Sequence, residues 1–458
     1  MNEEKSKKQH LKMTEGRIPP LILRLALPTT VGMLVTALYS LADAFFVSEL
    51  GTSASAAVGV TFAIQALIQA IGYTLGLGAG SLISRKLGEK RDGDAGRYAR
   101  IAFWLSVLSG ILIMLAGLFW GGPILRTLGA GESIYPYAMS YARFLFFSTP
   151  FMCTAFVLSQ LLRAEGKAIY SMVGLLSGSL LNIALDPLLI HTVGLGIAGA
   201  SLATLISQAV SLLILLSAYI FHKSQIELFQ KITLSDFSES GRILLTGLPS
   251  AFRQGLTVFA TVLLNRAAGA WGDAAVAAIS AVTRLFLFAF SVCLGVGQGM
   301  MPVVGYNYGF GNLDRVRRAF RFSIGLSTAA MLAISIPFWI YAPDLVALLR
   351  DDAEVIRIGT FALRLQCYVF FCHGLITCTI MFLQAIGKRF GSALLASARQ
   401  GLFFAPLIFL LPSFLGPESI LYVQPIADAA TFLFAILFAI YAGKTLNSGK
   451  QTKSGAAV

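Results

Sequence analysis

The eleven residues Leu180–Ile190, LLNIALDPLLI, place an asparagine and an aspartate in an otherwise apolar segment, with a proline directly after the aspartate. The apolar run around them, residues 168–191, is long enough to cross about 30 Å of hydrocarbon as a helix. An aspartate at the centre of a membrane helix costs about 2.5–3.5 kcal/mol on insertion scales, so Asp186 requires a partner or a function. The stretch therefore predicts a membrane-spanning helix that carries a functional group.

Apolar runs of this length recur from Leu21 to Gly443. Hydrophobic residues make up 56 % of the 458 residues and charged residues only 12 %, whereas an ordinary soluble domain has about 25 % charged residues. The pattern predicts an all-α polytopic membrane protein with twelve transmembrane helices. The first run is too long for the core of a signal peptide, so it is expected to remain as span 1. The predicted spans are residues 21–47, 54–83, 98–121, 137–163, 168–191, 196–221, 241–266, 273–303, 319–342, 357–385, 392–413 and 418–442.

The basic residues predict how these spans are oriented. The two tails and the loops that follow the even-numbered spans hold 25 of the 35 Lys and Arg residues, including all 13 lysines. Because loops rich in Lys and Arg stay in the cytoplasm, both termini of this multi-pass cell-membrane protein are predicted to be cytoplasmic. The net charge of +13 is therefore an orientation signal and does not indicate nucleic-acid binding.

The sequence contains none of the common enzyme motifs. Its five cysteines all lie in apolar segments without a C-x-x-C pair, which predicts buried thiols and neither a disulfide framework nor a metal site. We also find no paired catalytic carboxylates in a loop and no nucleophile–base motif. The protein is expected not to be an enzyme and to need no cofactor.

A repeat becomes visible when the chain is shifted by 221 residues. Each half then contains six spans, so both halves begin on the same side of the membrane and the repeats are parallel. Two six-helix bundles around a central cleft are a transporter architecture, with the substrate held where the repeats meet. The positions that coincide are Leu27-Pro28 with Leu248-Pro249, Gly51 with Gly272, Gly166-Lys167 with Gly387-Lys388 and, after a two-residue deletion, the G-x-G-x-G triplets at 76–80 and 295–299. The predicted segments are an N-terminal tail (1–20), a first lobe (21–221), a cytoplasmic linker (222–240), a second lobe (241–443) and a C-terminal tail (444–458).

Charged residues inside the spans are divided unevenly between the halves. Only Asp43, Asp186 and Asp428 are acidic residues within spans, whereas the internal arginines all belong to the second half. The first half therefore has deep acids without a matching deep base, which predicts a cation site there. In the second half, Asp428 with Arg253 and Arg284 is a candidate charge site, although Asp428 could equally serve only to neutralise an arginine. The internal arginines are Arg253, Arg284, Arg364 and Arg399.

The polar groups of the first half share one depth. At about 1.5 Å per residue, Asp43, Asp186 and Thr204 all lie within roughly 12 Å of the outer ends of their spans. Asn182 precedes Asp186 by one turn and projects from the same face, and Pro187 removes the N–H that would pair with the carbonyl of residue 183. Carboxylate, amide and carbonyl oxygens suit Na⁺ or a proton, so Na⁺ is a candidate occupant at Asp43, Asn182 and Asp186. The alternative is a kinked helix whose Asn and Asp only bond a neighbouring helix.

Weaker signals lie around this group. Tyr39 precedes Asp43 by one turn, where a packing role and a site role are both open. Pro28 and Pro249 are predicted to bend spans 1 and 7 at equivalent places. The glycine triplets lie inside membrane spans, which favours close helix contact over nucleotide binding. A lone mid-span histidine, His373, is read as a satisfied core residue.

Taken together, these residues resemble the multidrug and toxic compound extrusion (MATE) family over about residues 20–445. The segments that carry the resemblance are RLALPTTVGMLVTALYSLADAFFVSELGT at 24–52, RAEGK at 163–167 and NIALDP at 182–187. The resemblance implies export of mostly cationic amphipathic compounds in exchange for Na⁺ or H⁺. The matching positions are Asp43, Asn182, Asp186 and Thr204 for the family's cation site, with Tyr39 and Pro28 for its span 1 tyrosine and bending proline. Spans 7 and 10 lack the further acids that some sodium-coupled members carry, so Asp428 is the one acidic candidate in the second half.

The expected function is a secondary active transporter, an antiporter coupled to Na⁺ or H⁺ that exports cationic or amphipathic drugs and toxic organic compounds by alternating access. Its expected partners are small organic cations and the lipid bilayer, and a monomer is expected. The alternative is a lipid-linked precursor flippase of the same superfamily. The second-half arginines keep that alternative open, whereas the acidic site of the first half does not suit an anionic headgroup.

Overall fold

Long apolar runs become helices here because hydrocarbon offers no partners to backbone N–H and C=O groups, so each segment must satisfy its own. The computed structural model describes residues 2–221, 223–231 and 233–454, and no β-strand is found among them. The predicted helical character is confirmed. The helices are α1 (Asn2–Glu15), α2 (Ile18–Ser48), α3 (Thr52–Gly88), α4 (Asp92–Thr127), α5 (Tyr135–Ala164), α6 (Ala168–Pro187), α7 (Ile197–Ile220), α8 (Ser240–Trp271), α9 (Asp273–Phe310), α10 (Leu313–Ile340), α11 (Ala342–Leu349), α12 (Ala353–Cys367), α13 (Cys372–Ala385), α14 (Arg389–Ser397), α15 (Ala405–Leu415) and α16 (Ile420–Ser454).

These helices account for the predicted spans. Within the described ranges, ten helical stretches are long and apolar enough to cross a membrane, and α12 with α13 forms an eleventh that bends by 58°. The remaining predicted span, the seventh, is α8, which carries three arginines. Many large apolar side chains stay exposed, including Leu213 (65 %), Phe409 (65 %) and Leu433 (66 %), as expected for helices that face lipid.

The ends of the chain are more helical than expected. The predicted tail 1–20 contains α1, whose Lys, Glu, Gln and Leu residues favour helix. The predicted tail after residue 443 continues α16 as far as Ser454. Residues 455–458 of that tail, and residues 222 and 232 of the predicted linker, lie outside the described residues.

Two compact units divide the chain at repeat-equivalent positions. One unit comprises Met1–Met13 and Val31–Ala251, and the other comprises Thr14–Thr30 and Phe252–Val458. The boundaries after Thr30 and after Ala251 are 221 residues apart, and each falls two residues after the proline of its helix. The predicted division into lobes by residue number stays a prediction.

Both glycine triplets lie at close helix contacts, as predicted. In the first unit, a Cβ on Gly78 of α3 would collide with the Ile243 carbonyl of α8, and one on Gly247 would collide with the Thr74 carbonyl. In the second unit, Gly295 and Gly299 of α9 pack in the same way against the first turns of α2. The small residues therefore let helix backbones approach each other directly.

Repeat-related glycines also share a left-handed backbone. Gly51 and Gly272, which precede α3 and α9, have φ values of 107° and 134°. Gly166 and Gly387, in the turns after α5 and α13, have φ values of 79° and 82°. Side chains rarely adopt such φ values, which explains why glycine occupies both members of each pair.

Glu165, in the turn after α5, holds the start of the linker. Its buried carboxylate accepts hydrogen bonds from Ser224 Oγ at 2.7 Å and from Gln225 N at 2.9 Å. Lys167 Nζ lies 2.8 Å from the same carboxylate. Its backbone carbonyl accepts from Gln9 of α1 at 3.0 Å. One acidic side chain thus joins the α5–α6 turn to the linker.

The linker also has its own structure, a short 3₁₀ helix over Leu234–Glu239. Asp236 closes a capping box with Thr233 and pairs with Arg97 of α4 at 2.8 Å. Hydrogen bonds from the Thr233 N–H and hydroxyl, with Arg97 nearby, hold the pKa of Asp236 below its usual range. The predicted polar linker is therefore held against α4.

Candidate functional site

Helices of the first compact unit bring the polar groups of the first half together. Asp43 lies on α2, Tyr141 on α5, Asn182 and Asp186 on α6, and Thr204 on α7. Apolar residues of α2, α3, α5 and α7, with Ile190, form a buried core that includes Tyr141. These packed helices fix the depth and direction of each polar side chain.

Pro187 shapes the end of α6. Since proline has no N–H, the carbonyl of Ile183 loses its usual helical donor. The chain continues through a π-helical turn, Leu188–Thr192, in which Val193 N donates to Leu188 O at 2.9 Å. Such turns are frequent at functional sites, and this one directly follows the helix that carries Asp186.

Asp43 is a buried carboxylate, 7 % exposed, with few donors around it. The hydroxyl of Tyr141 donates to Asp43 Oδ2 at 3.5 Å and in turn accepts from Gln65 Nε2 at 3.3 Å. Oδ1 of Asp43 has no hydrogen-bond partner among the described residues. A buried carboxylate oxygen without a donor is unfavourable, so this position favours a bound cation or proton.

Asp186 lies in a more complete polar group. With its amide nitrogen facing Asp186, Asn182 donates to Asp186 Oδ2 at 3.1 Å and accepts from Thr204 N at 3.2 Å. Tyr39 lies within hydrogen-bonding reach of Thr204. Asn182, Asp186 and Thr204 are all buried, at 1 %, 0 % and 1 % exposure. The i,i+4 pair on α6 therefore shares one face, as predicted, and meets α7.

The site is acidic and has no nearby base to neutralise it. Asp43 and Asp186 are close enough to act on each other electrostatically, and both act on Tyr39. None of the ion pairs found in the described part of the chain involves either aspartate. Carboxylate, amide, hydroxyl and phenol oxygens are hard ligands that suit Na⁺, and either carboxylate also accepts a proton. The residues present fit both ions.

The structure thus brings together every residue that the sequence proposed for the first-half site: Tyr39, Asp43, Asn182, Asp186 and Thr204. Their role as a cation site stays a prediction. Sequence reasoning missed Tyr141 and Gln65, because a tyrosine and a glutamine carry no charge that an apolar span must explain. Gln65 could have been found as a polar residue in the apolar run of span 2.

Pro28 lies inside α2, and the helix continues through it from Ile18 to Ser48. The predicted conformational bend at this proline stays a prediction.

In the second half, Asp428 is fully buried and pairs with Arg399, whose Nε lies 2.6 Å from Oδ1. The structure therefore adds Arg399 to the predicted group of Asp428, Arg253 and Arg284. Arg253 and Arg399 both act electrostatically on Cys293, whereas Arg284 is exposed. His373 hydrogen-bonds Asp428 through Nε2 at 3.2 Å, so this histidine is a bonded core residue, as predicted.

Other chemistry-bearing groups are inert in the described residues. All five cysteines are buried, which confirms that prediction. No group of three or more His, Cys, Asp or Glu side chains in the described part of the chain could hold a metal ion.

The fold and the site define a class first. Two repeated halves of apolar helices, with a buried polar site in a unit of the first half, are the architecture of a membrane transporter. The family model MatE matches the chain twice, over residues 28–188 and 249–410, so the matches begin 221 residues apart at Pro28 and Pro249. The chain belongs to this family, the MATE transporters, and its architecture of two six-helix repeats is confirmed.

Curated relatives and solved structures agree over nearly the whole chain. The chain is 26 % identical over 420 residues to the multidrug export protein MepA of Staphylococcus aureus, covering 91 % of this chain and 92 % of MepA. It is 29 % identical over 433 residues to MepA of Staphylococcus haemolyticus, covering 93 % and 94 %.

Among solved structures, an outward-facing multidrug resistance MATE transporter of the MOP superfamily has a TM-score of 0.89 and 27 % identity, over 96 % of this chain and 98 % of its own. A MOP superfamily transporter from Pyrococcus furiosus, for which reverse polarity of the binding pocket suggests a different function, has a TM-score of 0.88 and 27 % identity, over 96 % and 98 %.

Proposed function

We propose that the protein is an antiporter that exports cationic and amphipathic organic compounds in exchange for Na⁺ or H⁺. The observation that carries this proposal is the pair of buried acids, Asp43 and Asp186, for which the described residues provide no basic partner. Two buried carboxylates without counter-ions are unfavourable in an apolar span, and a bound Na⁺ or proton relieves that cost.

The surrounding oxygens support exchange of the ion rather than permanent binding. Asp43 keeps one oxygen without a donor, while Asn182 already occupies an oxygen of Asp186. An ion bound here neutralises the acids, and its release restores two negative charges. Antiport follows if the two conformations of the transporter differ in their affinity for the ion and for the exported cation.

The export of drugs is supported by the MepA relatives, which are named multidrug export proteins. Pocket polarity differs between transporters of this fold, as the Pyrococcus furiosus structure indicates. The acidic group around Asp43 and Asp186 suits cationic compounds, and we therefore place organic cations first among the substrates.

The direct test uses purified protein in liposomes loaded with a cationic dye. Dye movement is measured under an imposed Na⁺ gradient and, separately, under a pH gradient of equal driving force. We expect one of the two gradients to drive dye movement against its concentration gradient. Dye movement that ignores both gradients would contradict ion-coupled antiport.

A further inference from the structure

A second polar centre lies inside the second compact unit, around Asp428 on α16. Its carboxylate accepts hydrogen bonds from four side chains that come from four segments of the chain. Gln424 Nε2 and Arg399 Nε reach Oδ1 at 2.9 and 2.6 Å, while Gln366 Nε2 and His373 Nε2 reach Oδ2 at 2.7 and 3.2 Å. Asp428 is therefore saturated with donors and has no oxygen left for a coupling ion, unlike Asp43.

Arg399 is held in place on two sides. It lies in a π-helical segment, Ala398–Phe404, between α14 and α15, and its Nε is fixed by Asp428. Its guanidinium carbon lies 4.9 Å from the ring centre of Phe286 and 5.7 Å from that of Phe290. These contacts orient the planar group without using the Nη edge.

The Nη edge of Arg399 remains available. Neither Nη nitrogen forms a hydrogen bond with the described residues, and neither is sealed off, since the side chain is 13 % exposed. A guanidinium in the middle of an apolar span faces the protein interior or a watery cavity, because exposure to lipid is costly. Four N–H donors thus point to a space that another molecule can reach.

The charges near this edge favour an anion. Phe286, Phe290 and Cys293 follow one face of α9, and Cys293 interacts electrostatically with both Arg399 and Arg253. Asp428 is the acid that hydrogen-bonds in this group, and it is fully used by its four donors. Phe286 and Phe290 add aromatic surface on which a flat ring can stack.

We propose that the Nη edge of Arg399, with Phe286 and Phe290, is a subsite for the carboxylate of an aromatic amphipathic compound. The fork of a guanidinium matches a carboxylate with two parallel hydrogen bonds, and such charge-assisted bonds are strong. The inference rests on the proposed export of organic compounds and adds to it: zwitterionic substrates are recognised as well as simple cations. Asp428 is then a positioning residue that aims Arg399.

The test compares two dyes that differ in one group. A cationic xanthene dye with a free carboxylate and its methyl ester are titrated against the purified full-length protein, without any ion gradient, by fluorescence polarisation. The readout is the ratio of the Kd of the ester to the Kd of the acid, which cancels everything that the two dyes share. Two hydrogen bonds to a charged group predict that Arg399 changes this ratio by about tenfold or more.

Three variants make the result specific. Arg399→Gln alone leaves Asp428 without its counter-ion and can misfold, so the decisive variant is the double change Arg399→Gln/Asp428→Asn, which removes both charges at similar volume. We expect it to lose the preference for the acid while binding the ester as before. Arg399→Lys, which keeps the charge but not the fork, should give an intermediate ratio. The matched control is Arg364→Gln, because Arg364 instead stacks on Trp339 and bonds its carbonyl.

An unchanged ratio in the double variant, with both dyes still bound, would overturn the Arg399 subsite and leave the proposed function intact. A wild-type protein that binds neither dye contradicts both the subsite and the proposed substrates.

Discussion

Asp43 and Asp186 are both buried acids of the first half, yet their surroundings differ. Asp186 shares its oxygens with the amide of Asn182, whereas Asp43 has one oxygen that no described residue contacts. This difference assigns Asp43 the more direct part in binding an ion and Asp186 the part of a second negative charge held in place by α6. The two acids also work against each other electrostatically when both are ionised, which raises the affinity for a cation between them.

We predict that Asp43→Asn and Asp186→Asn each reduce ion-driven dye export to the background of empty liposomes. An amide keeps the size and hydrogen bonding of the side chain but cannot bind a proton or balance a cation. The measurement is dye movement in liposomes at equal protein content. Asp273→Asn, an exposed acid at the start of α9, is the matched control and should export normally. Normal export by both site variants would exclude the acidic pair from coupling.

Tyr141 provides a finer test of the same site. Its hydroxyl donates to the ionised form of Asp43, so Tyr141→Phe should favour the ion-bound form. We expect the ion concentration for half-maximal export to fall by about fivefold, the effect of about 1 kcal/mol. Tyr137→Phe, an exposed tyrosine on the same helix, should leave it unchanged. A rise in that concentration after Tyr141→Phe would contradict the assigned hydrogen bond.

At the scale of helices, the contact between α3 and α8 depends on two glycines with no room for a side chain. A methyl group on Gly247 meets the carbonyl of Thr74, which belongs to helix backbone and cannot rotate away. The same contact style recurs in the second unit between α9 and α2, where Gly295 and Gly299 take this role. The triplets therefore act on helix spacing and not on ligand binding.

We predict that Gly247→Ala destabilises the protein by about 1–3 kcal/mol, the usual cost of overpacking. The measurement is the thermal unfolding midpoint of the purified protein, which should fall relative to wild type. Gly255→Ala, on the same helix with open space around it, should be neutral or slightly stabilising. Equal midpoints for both variants would show that α3 and α8 can separate at no cost.

The turn after α5 and the linker depend on a buried acid. Glu165→Ala leaves Ser224 and the Gln225 N–H without their acceptor and Lys167 without its partner. We expect trypsin to cleave the variant faster at Lys223 and Lys231, because the start of the linker is no longer held. Glu132→Ala, which removes an exposed acid, should not change the cleavage rate. An unchanged digestion pattern for Glu165→Ala would mean that the linker is held by other contacts.

At the scale of the whole molecule, much of the fold could be predicted from apolar runs alone, because a helix is the simplest way to satisfy the backbone in lipid. The repeat followed from four coincidences at one spacing, and their backbone reason is visible at Gly51 and Gly272. The break between α12 and α13 could not be predicted, since residues 368–371 are as apolar as their neighbours and contain neither proline nor glycine. The division of the compact units inside α2 and α8 is likewise a tertiary property that hydrophobicity does not encode.

The candidate site shows the same limit. Asp43, Asn182, Asp186 and Thr204 could be grouped from depth and charge, because an acid in an apolar span requires an explanation. Tyr141 and the ion pair of Asp428 with Arg399 could not be assigned, since four arginines of the second half were equally eligible and only packing decides between them. Charge identifies the candidates, and helix packing selects the partners.

The distribution of charge also predicts the orientation of the molecule. Because 25 of 35 basic residues lie in the tails and in alternate loops, the linker should face the cytoplasm and the α4–α5 loop the outside. Single cysteines at Lys231 and Glu132, both exposed positions, test this with a membrane-impermeant thiol reagent. The five native cysteines are buried and contribute little background. We expect Glu132→Cys to be labelled in intact cells and Lys231→Cys only after the membrane is permeabilised. The reverse pattern would invert the direction of transport proposed above, because the acids near the outer ends of α2 and α6 would then open toward the cytoplasm.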